Sequence, residues 1–134
     1  MRFARGEFVD VFPPSRDVLV SQNDVGGMGG AGMFVAADSL TGSTISENTT
    51  SENRGNGITF ASGNTDNEVL GNRSDNNGLV GINAGLGATG NRFEHNSMHG
   101  NALFDARDVN TPLNEWSGND CDTDSPAGML CVDY

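Results

Sequence analysis

The motif asparagine-x-apolar-x-x-asparagine recurs along this chain at one phase as Asn67-Glu-Val-Leu-Gly-Asn72, Asn91-Arg-Phe-Glu-His-Asn96 and Asn114-Glu-Trp-Ser-Gly-Asn119. Two weaker copies, Val18-Leu-Val-Ser-Gln-Asn23 and Ser43-Thr-Ile-Ser-Glu-Asn48, keep the central apolar residue and the final Asn. The apolar column therefore reads Val20, Ile45, Val69, Phe93, Trp116, with spacings of 25, 24, 24 and 23, and the Asn column Asn23, Asn48, Asn72, Asn96, Asn119 has the same spacings. A second column travels with it: Asn53, Asn77 and Asn101 are each 24 apart. They are followed by the apolar pairs Ile58/Phe60, Leu79/Ile82 and Leu103/Phe104, with Met33/Val35 one repeat earlier.

A fixed period of this length is the signature of a repeat architecture. Each unit holds at least two short strands of alternating or apolar-rich sequence between Gly/Asn turns, and no segment carries a 3.6-residue apolar stripe. A unit this small cannot bury its own apolar face. Stacking units at the spacing of paired strands, about 4.8 Å, buries a continuous apolar column and pairs the backbone between coils. The expected fold is all-β, a right-handed parallel β-helix of about five coils of 23–25 residues. Asn suits the corners, since it tolerates the left-handed turn and can hydrogen-bond to its copy in the next coil. Beside the apolar column the outward positions read Thr44, Glu68, Arg92, Glu115, which sets Arg92 between two carboxylates one coil away and fixes register more than it adds stability.

Composition agrees. Hydrophobic residues make up only 35% of the 134 residues, thin for a globule around one central core, while 19 Gly allow the frequent reversals a coil needs. All seven basic residues are Arg and the formal charge is −11, so nucleic acid is excluded as a partner and anionic membrane surfaces repel the chain. The absence of Lys removes a P-loop lysine and a Schiff-base lysine. No run approaches the roughly 20 apolar residues of a membrane span, and the first residues are not a signal peptide. Cys121 and Cys131 lie close together in an Asp- and Asn-rich chain, which fits a disulfide in an oxidising compartment better than a metal site or free thiols. The expected localisation is secreted, periplasmic or cell-surface.

Residues 17–134 are read as the helix with a C-terminal cap, made by Trp116 as inward plug, the cysteine pair and the acidic loop. Residues 1–16 are read as an N-terminal strand or the remnant of a preceding coil, because Val9 and Val11 stand 24 before Met33 and Val35. Self-association through this N-terminal coil would protect its open edge.

The Asn-rich repeat over residues 17–131 resembles the right-handed parallel β-helix proteins, the superfamily of pectate lyases and of carbohydrate-binding and sugar-hydrolase type repeats. The ending Asn114-Glu-Trp-Ser-Gly-Asn-Asp-Cys121 followed by Ser125-Pro-Ala-Gly-Met-Leu-Cys131 looks like the C-terminal finish of secreted members. The resemblance implies a polysaccharide partner. For a lyase it also implies calcium held by carboxylates, with an Arg or Lys as base. Carboxylates available for that role are Glu47, Glu52, Asp66 and Asp75, with Arg73 the nearest guanidinium, although the sequence shows no compact acidic lyase motif.

Other constellations are weaker. Asp120, Asp122 and Asp124 alternate like the opening of a calcium loop, but Ser125 and Cys131 stand where an EF-hand needs Gly and Glu. His95 and His99 would face one way on a helix; on a strand and turn they diverge. The Gly26–Gly32 run lacks the strand, helix and Lys of a phosphate loop and reads as a turn. The sequons Asn48-Thr-Thr50 and Asn72-Arg-Ser74 fall on the Asn column and are assigned to structure. The leading expectation is a non-catalytic exported module, structural or glycan-binding. The alternatives are a polysaccharide lyase or hydrolase, or a fragment of one, and a fibre-like assembly segment.

Overall fold

The computed structural model describes residues 14–131 and the backbone of Phe8 and Val9. Every regular element among them is a β-strand, and every pairing is parallel, so the chain winds as a solenoid. Three sheets run along it. The first face stacks Leu19–Ser21, Thr44–Ser46, Glu68–Leu70, Arg92–Glu94 and Glu115–Ser117. The second stacks Asp24–Gly26, Thr49–Ser51, Arg73–Asp75, Ser97–His99 and Asp120–Cys121. The third stacks Phe8–Val9, Met33–Val35, Ile58–Phe60, Val80–Ala84, Phe104–Asp108 and Asp124–Ser125. Five stacked strands on the first face make about four full turns.

The register on the first face is the one the sequence period dictates: Val20 pairs with Ile45, Ile45 with Val69, Val69 with Phe93, and Phe93 with Trp116. The middle residue of each three-residue strand points inward, because side chains alternate across a strand. Four of these five residues are at most 2% exposed, and Trp116, in the last coil, is half-buried. The third face adds Met33, Ile58, Ile82 and Ala106 in one column and Val35, Phe60 and Ala84 in the next. Phe60 meets Phe93 edge-to-face at 5.8 Å and Phe93 stacks on Trp116 at 4.1 Å, tying the third face to the first and the core to the cap.

Two sequence expectations need correction. Leu79 and Leu103 are 47% and 49% exposed; the inward partners of Ile58/Phe60 are Ile82/Ala84 and then the Ala106/Asp108 pair. The strand begins later than the leucines suggest, since Gly57, Gly81 and Asp105 occupy one level and Leu79 and Leu103 lie on the corner before it. Val9 pairs with Val35, an offset of 26 rather than 24, and its expected partner Met33 does not face it. Val11 and most of the segment 1–16 lie outside the described residues.

The second face is a strand the sequence does not announce. Its inward column runs Val25, Thr50, Ser74, Met98, Cys121. The two polar members are buried but satisfied: Thr50 donates to Ser74 Oγ at 2.8 Å, and Ser74 donates to the Gly81 carbonyl at 2.7 Å. Gly57 is required beside them, because a Cβ there would collide with Ser74 Oγ, Thr50 Oγ1 and the Gly81 carbonyl.

Most corners are built in one way. A residue in the left-handed region, such as Gln22, Glu47, Gly71, His95 or Gly118, immediately precedes the ladder Asn. The Asn then bonds along the rod. Asn72 Oδ1 accepts from the Asn48 backbone N–H (2.9 Å) and Nδ2 (3.0 Å), and Asn72 Nδ2 donates to the Ile45 carbonyl (2.9 Å) and Asn96 Oδ1 (3.0 Å). Parallel ladders run through Asn53, Asn77 and Asn101 and through Asn67, Asn91 and Asn114. Among the described residues no fully buried side-chain nitrogen or oxygen lacks a partner.

Glu47 sits at a left-handed corner with φ of 54°, where the next coil has Gly71 at 62° with nothing within 4 Å of an added Cβ. Left-handed backbone costs a residue with a Cβ roughly 1–2 kcal/mol, partly offset by the greater unfolded-state freedom of Gly. Glu47→Gly is therefore expected to stabilise the chain by roughly 0.5 kcal/mol. Urea unfolding would show this as a higher midpoint at unchanged slope; a lower midpoint would contradict it.

Two of the three ladders terminate on carboxylates, while the Asn23–Asn119 ladder ends with Asn119 Nδ2 donating to the Leu130 carbonyl at 3.4 Å. Asn101 donates its backbone N–H and Nδ2 to Asp105 Oδ1 at 3.0 and 2.9 Å. Asn114 Nδ2, the Asn110 backbone N–H and the Trp116 indole N–H all donate to Asp108, the last at 2.8 Å. Asp124 accepts from the backbone N–H groups of Gly128, Leu130 and Cys131. A carboxylate is an acceptor only, which is what the last donor of a one-way ladder needs. The Cys121–Cys131 disulfide, with Cα atoms 5.7 Å apart, closes the same cap. Replacing both cysteines by Ala is expected to loosen the cap by roughly 2–3 kcal/mol, the loop-closure value for so short a ring. Amide exchange of residues 120–131 would rise while the central coils stay protected; loss of protection throughout would show that the cap holds the whole rod.

Candidate functional site

The candidate residues fall at different places on the rod. Asp66 occupies a corner with φ of 58°, and its Oδ1 leans over Gly90, where an added Cβ would stand 2.8 Å from it. Arg73 and Asp75 are on the second face and pair with each other. Asp75 is 7% exposed and its other oxygen accepts the His99 backbone N–H at 2.9 Å. Glu47 and Glu52 are left-handed corner residues facing solvent. The carboxylates proposed for calcium thus do not converge: Asp75 is committed to a guanidinium and an amide, and Asp66 belongs to another corner.

The three alternating carboxylates of the acidic end also separate. Asp124 turns into the cap. Asp120 and Asp122 instead flank His99, with Asp122 Oδ2 3.0 Å from Nδ1 and Asp120 Oδ2 3.2 Å from Nε2. Asp105 lies near this group, but its oxygens already accept from Asn101, from the Asp122 N–H (3.1 Å) and from the Thr123 N–H (3.2 Å). The cluster is organised around an imidazole. Its bonds to Asp122 and then Asp120 hold the His99 pKa above the ordinary value of 6.5 against the opposing effect of burial. His95, at its corner, lies over Gly118 of the next coil. The sequon residues Asn48 and Asn72 are 1% exposed with their amides fully bonded, so neither can accept a glycan in the folded chain.

A groove of about 530 Å³ lies where the first face meets the preceding corner. Its walls are Asp66, Glu68, Arg92 and Glu115, and its rim is Pro112 and Leu113. Register places Glu68, Arg92 and Glu115 in one outward column, as the sequence period implies. Arg92 is not shared equally between its cross-coil neighbours, however. Its Nε donates to Glu94 Oε1 at 2.6 Å, two residues along the same strand, and Glu68 is 3.9 Å from Nη1. Residues two apart on a strand share a face, which period-based reading across coils does not consider. The bond to Arg92 holds the Glu94 carboxyl below the ordinary carboxylate range, and Glu94 in turn raises the Arg92 pKa. Leu113 is 61% exposed beside these charges because the Gly90 N–H donates to the Leu113 carbonyl at 2.8 Å, fixing the corner loop over the groove.

Fold and ladders together define a parallel β-solenoid with stacked asparagine corners and a terminal cap. The family model for the right-handed β-helix region matches residues 11–120, and the chain belongs to that family. No curated protein and no solved structure matches it significantly.

Proposed function

We propose that the chain is a non-catalytic, exported β-helix module that offers the groove of Asp66, Glu68, Arg92 and Glu115 to a glycan. The observation that carries this reading is the groove's mixed lining: exposed Leu113 and Pro112 stand against three carboxylates and a guanidinium held by Glu94. Sugars present an apolar C–H face and a hydroxyl edge, and this pairing suits both. Such sites combine apolar contact with a few oriented polar groups. A neutral glycan is favoured, because three carboxylates against one Arg disfavour an acidic polymer. Export is supported by the disulfide, which persists in oxidising compartments.

The catalytic alternative needs a free base beside a cation site. Arg73 pairs with Asp75 and Arg92 with Glu94, which leaves each guanidinium bound to a carboxylate. The test is a panel of neutral and acidic polysaccharides assayed for retention and for unsaturated products or new reducing ends, with calcium and with chelator. Retention of a neutral polymer without turnover, weakened by Leu113→Ala, is the expected result. Calcium-dependent product formation would replace this reading with a lyase, and absence of both retention and turnover would leave a structural module.

A further inference from the structure

We infer that His99 is a proton-controlled clamp that fastens the last coil of the rod to the one beneath it. The strand carrying His99 lies in the fourth coil, whereas Asp120 and Asp122 lie in the next, at the start of the cap. Each ring nitrogen is within hydrogen-bond distance of a different carboxylate, at 3.0 and 3.2 Å. Carboxylates only accept, so both contacts are satisfied together only when both nitrogens carry a proton. A neutral ring keeps one N–H and turns a lone pair toward the second carboxylate, which converts an attraction into a repulsion.

The surroundings favour the charged ring from several elements. Asp120 and Asp122 face it from the next coil, and Asp105 approaches from the third face, its carboxylate among the atoms lying within 4.8 Å of one another with His99 and Asp122. From the coil beneath, Asp75 holds the His99 backbone N–H, and its charge is met by Arg73. The ring is thus flanked by carboxylates that no described cation other than His99 itself pairs with, apart from the Arg73–Asp75 couple. The direction of the His99 pKa agrees with this geometry.

The sign follows. A histidine whose folded pKa lies above its unfolded value of 6.5 contributes stability that is complete below that value. The contribution is lost as pH rises through the folded value. The clamp therefore holds in acid and releases the cap toward neutral and alkaline pH. What it releases is local, the segment from Asp120 through the disulfide loop, because the central coils are held by the ladders.

The experiment is amide exchange of residues 119–131 at several pH values, corrected for the intrinsic rate, in the wild type, in His99→Gln and in Asp122→Asn. Cap protection in the wild type is expected to fall by roughly twofold to fivefold from mildly acidic to alkaline pH, the range of a largely exposed ion pair. The same dependence should be absent in His99→Gln and reduced in Asp122→Asn. Wild-type protection that does not change with pH, or an unchanged dependence in His99→Gln, would overturn the clamp. Should His99→Gln fail to fold, ¹⁵N titration of the wild-type ring decides: a midpoint above that of the urea-unfolded chain supports the clamp, and one at or below it refutes it.

Discussion

Asn72→Ala is expected to lower the unfolding free energy by about 4 kcal/mol, the sum for two orphaned buried donors at roughly 1–3 kcal/mol each. Asn72 is 1% exposed and all its side-chain bonding capacity is used. Truncation leaves the Asn48 backbone N–H and one Asn48 Nδ2 hydrogen without partners in the interior, and removes the second donor to the Ile45 carbonyl. Position matters as well as chemistry. Stability of a solenoid is carried by interfaces between neighbouring coils, so a defect in the second interface divides the rod rather than fraying an end. Asn72→Asp should be worse near neutral pH, because it buries a charge and turns an acceptor toward the Ile45 carbonyl and Asn96 Oδ1. It should recover in part at low pH, when the added carboxyl is protonated and regains one donor. Equilibrium urea unfolding of the variants at two pH values checks this. A loss below about 1 kcal/mol for Asn72→Ala would mean that water replaces the amide and that the ladder sets corner geometry more than it stabilises.

Phe93→Ala is expected to cost about 3–5 kcal/mol, the range for removing a buried aromatic side chain. Phe93 is fully buried between Phe60, edge-to-face at 5.8 Å, and Trp116, stacked at 4.1 Å with 11° between the rings. Its deletion removes the floor on which the cap tryptophan rests. The gap cannot close easily, since the coils on either side are held at the strand spacing by ladder and backbone bonds. Because Trp116 is the sole tryptophan, its fluorescence reports the same event, and a red shift is expected as the indole gains water. Phe93→Leu should cost about 1–2 kcal/mol and leave the spectrum nearer the wild type. A small loss with an unshifted spectrum would show that Asp108, which accepts the indole N–H at 2.8 Å, holds the cap without the stacked ring.

Both arguments rest on positions that the sequence itself marks. Asn72 and Phe93 recur at the coil period, and their environments follow from stacking like on like. The Gly/Asn corners and the cap around Trp116 and the cysteine pair are legible for the same reason. The function is much less so. Asp66 is close in sequence to the Arg73–Asp75 pair, yet a coil carries it around a corner from them, so proximity along the chain says little about convergence. The charged column of the groove, Glu68, Arg92 and Glu115, is legible from the period, but the groove is not, because its other side is a single non-repeating loop at Pro112 and Leu113.

What the sequence by itself determined is the period, and with it the parallel stacking, the first-face register and the Asn ladders. A column of identical residues can be satisfied only by pairing each with its copy. Tertiary structure alone decided the rest. The second face escapes a hydrophobicity reading because Thr50 and Ser74 fill its inward column and are paid for by one another and by the Gly81 carbonyl. Asp105 and Asp108 each end one ladder and Asp124 ties the backbone of the cap, once each, so no repetition reveals them. His99 meets Asp120 and Asp122 only because one turn of the solenoid brings residues 21 and 23 positions apart into contact. Repetition is written along the chain; the contacts of a single occurrence exist only in three dimensions.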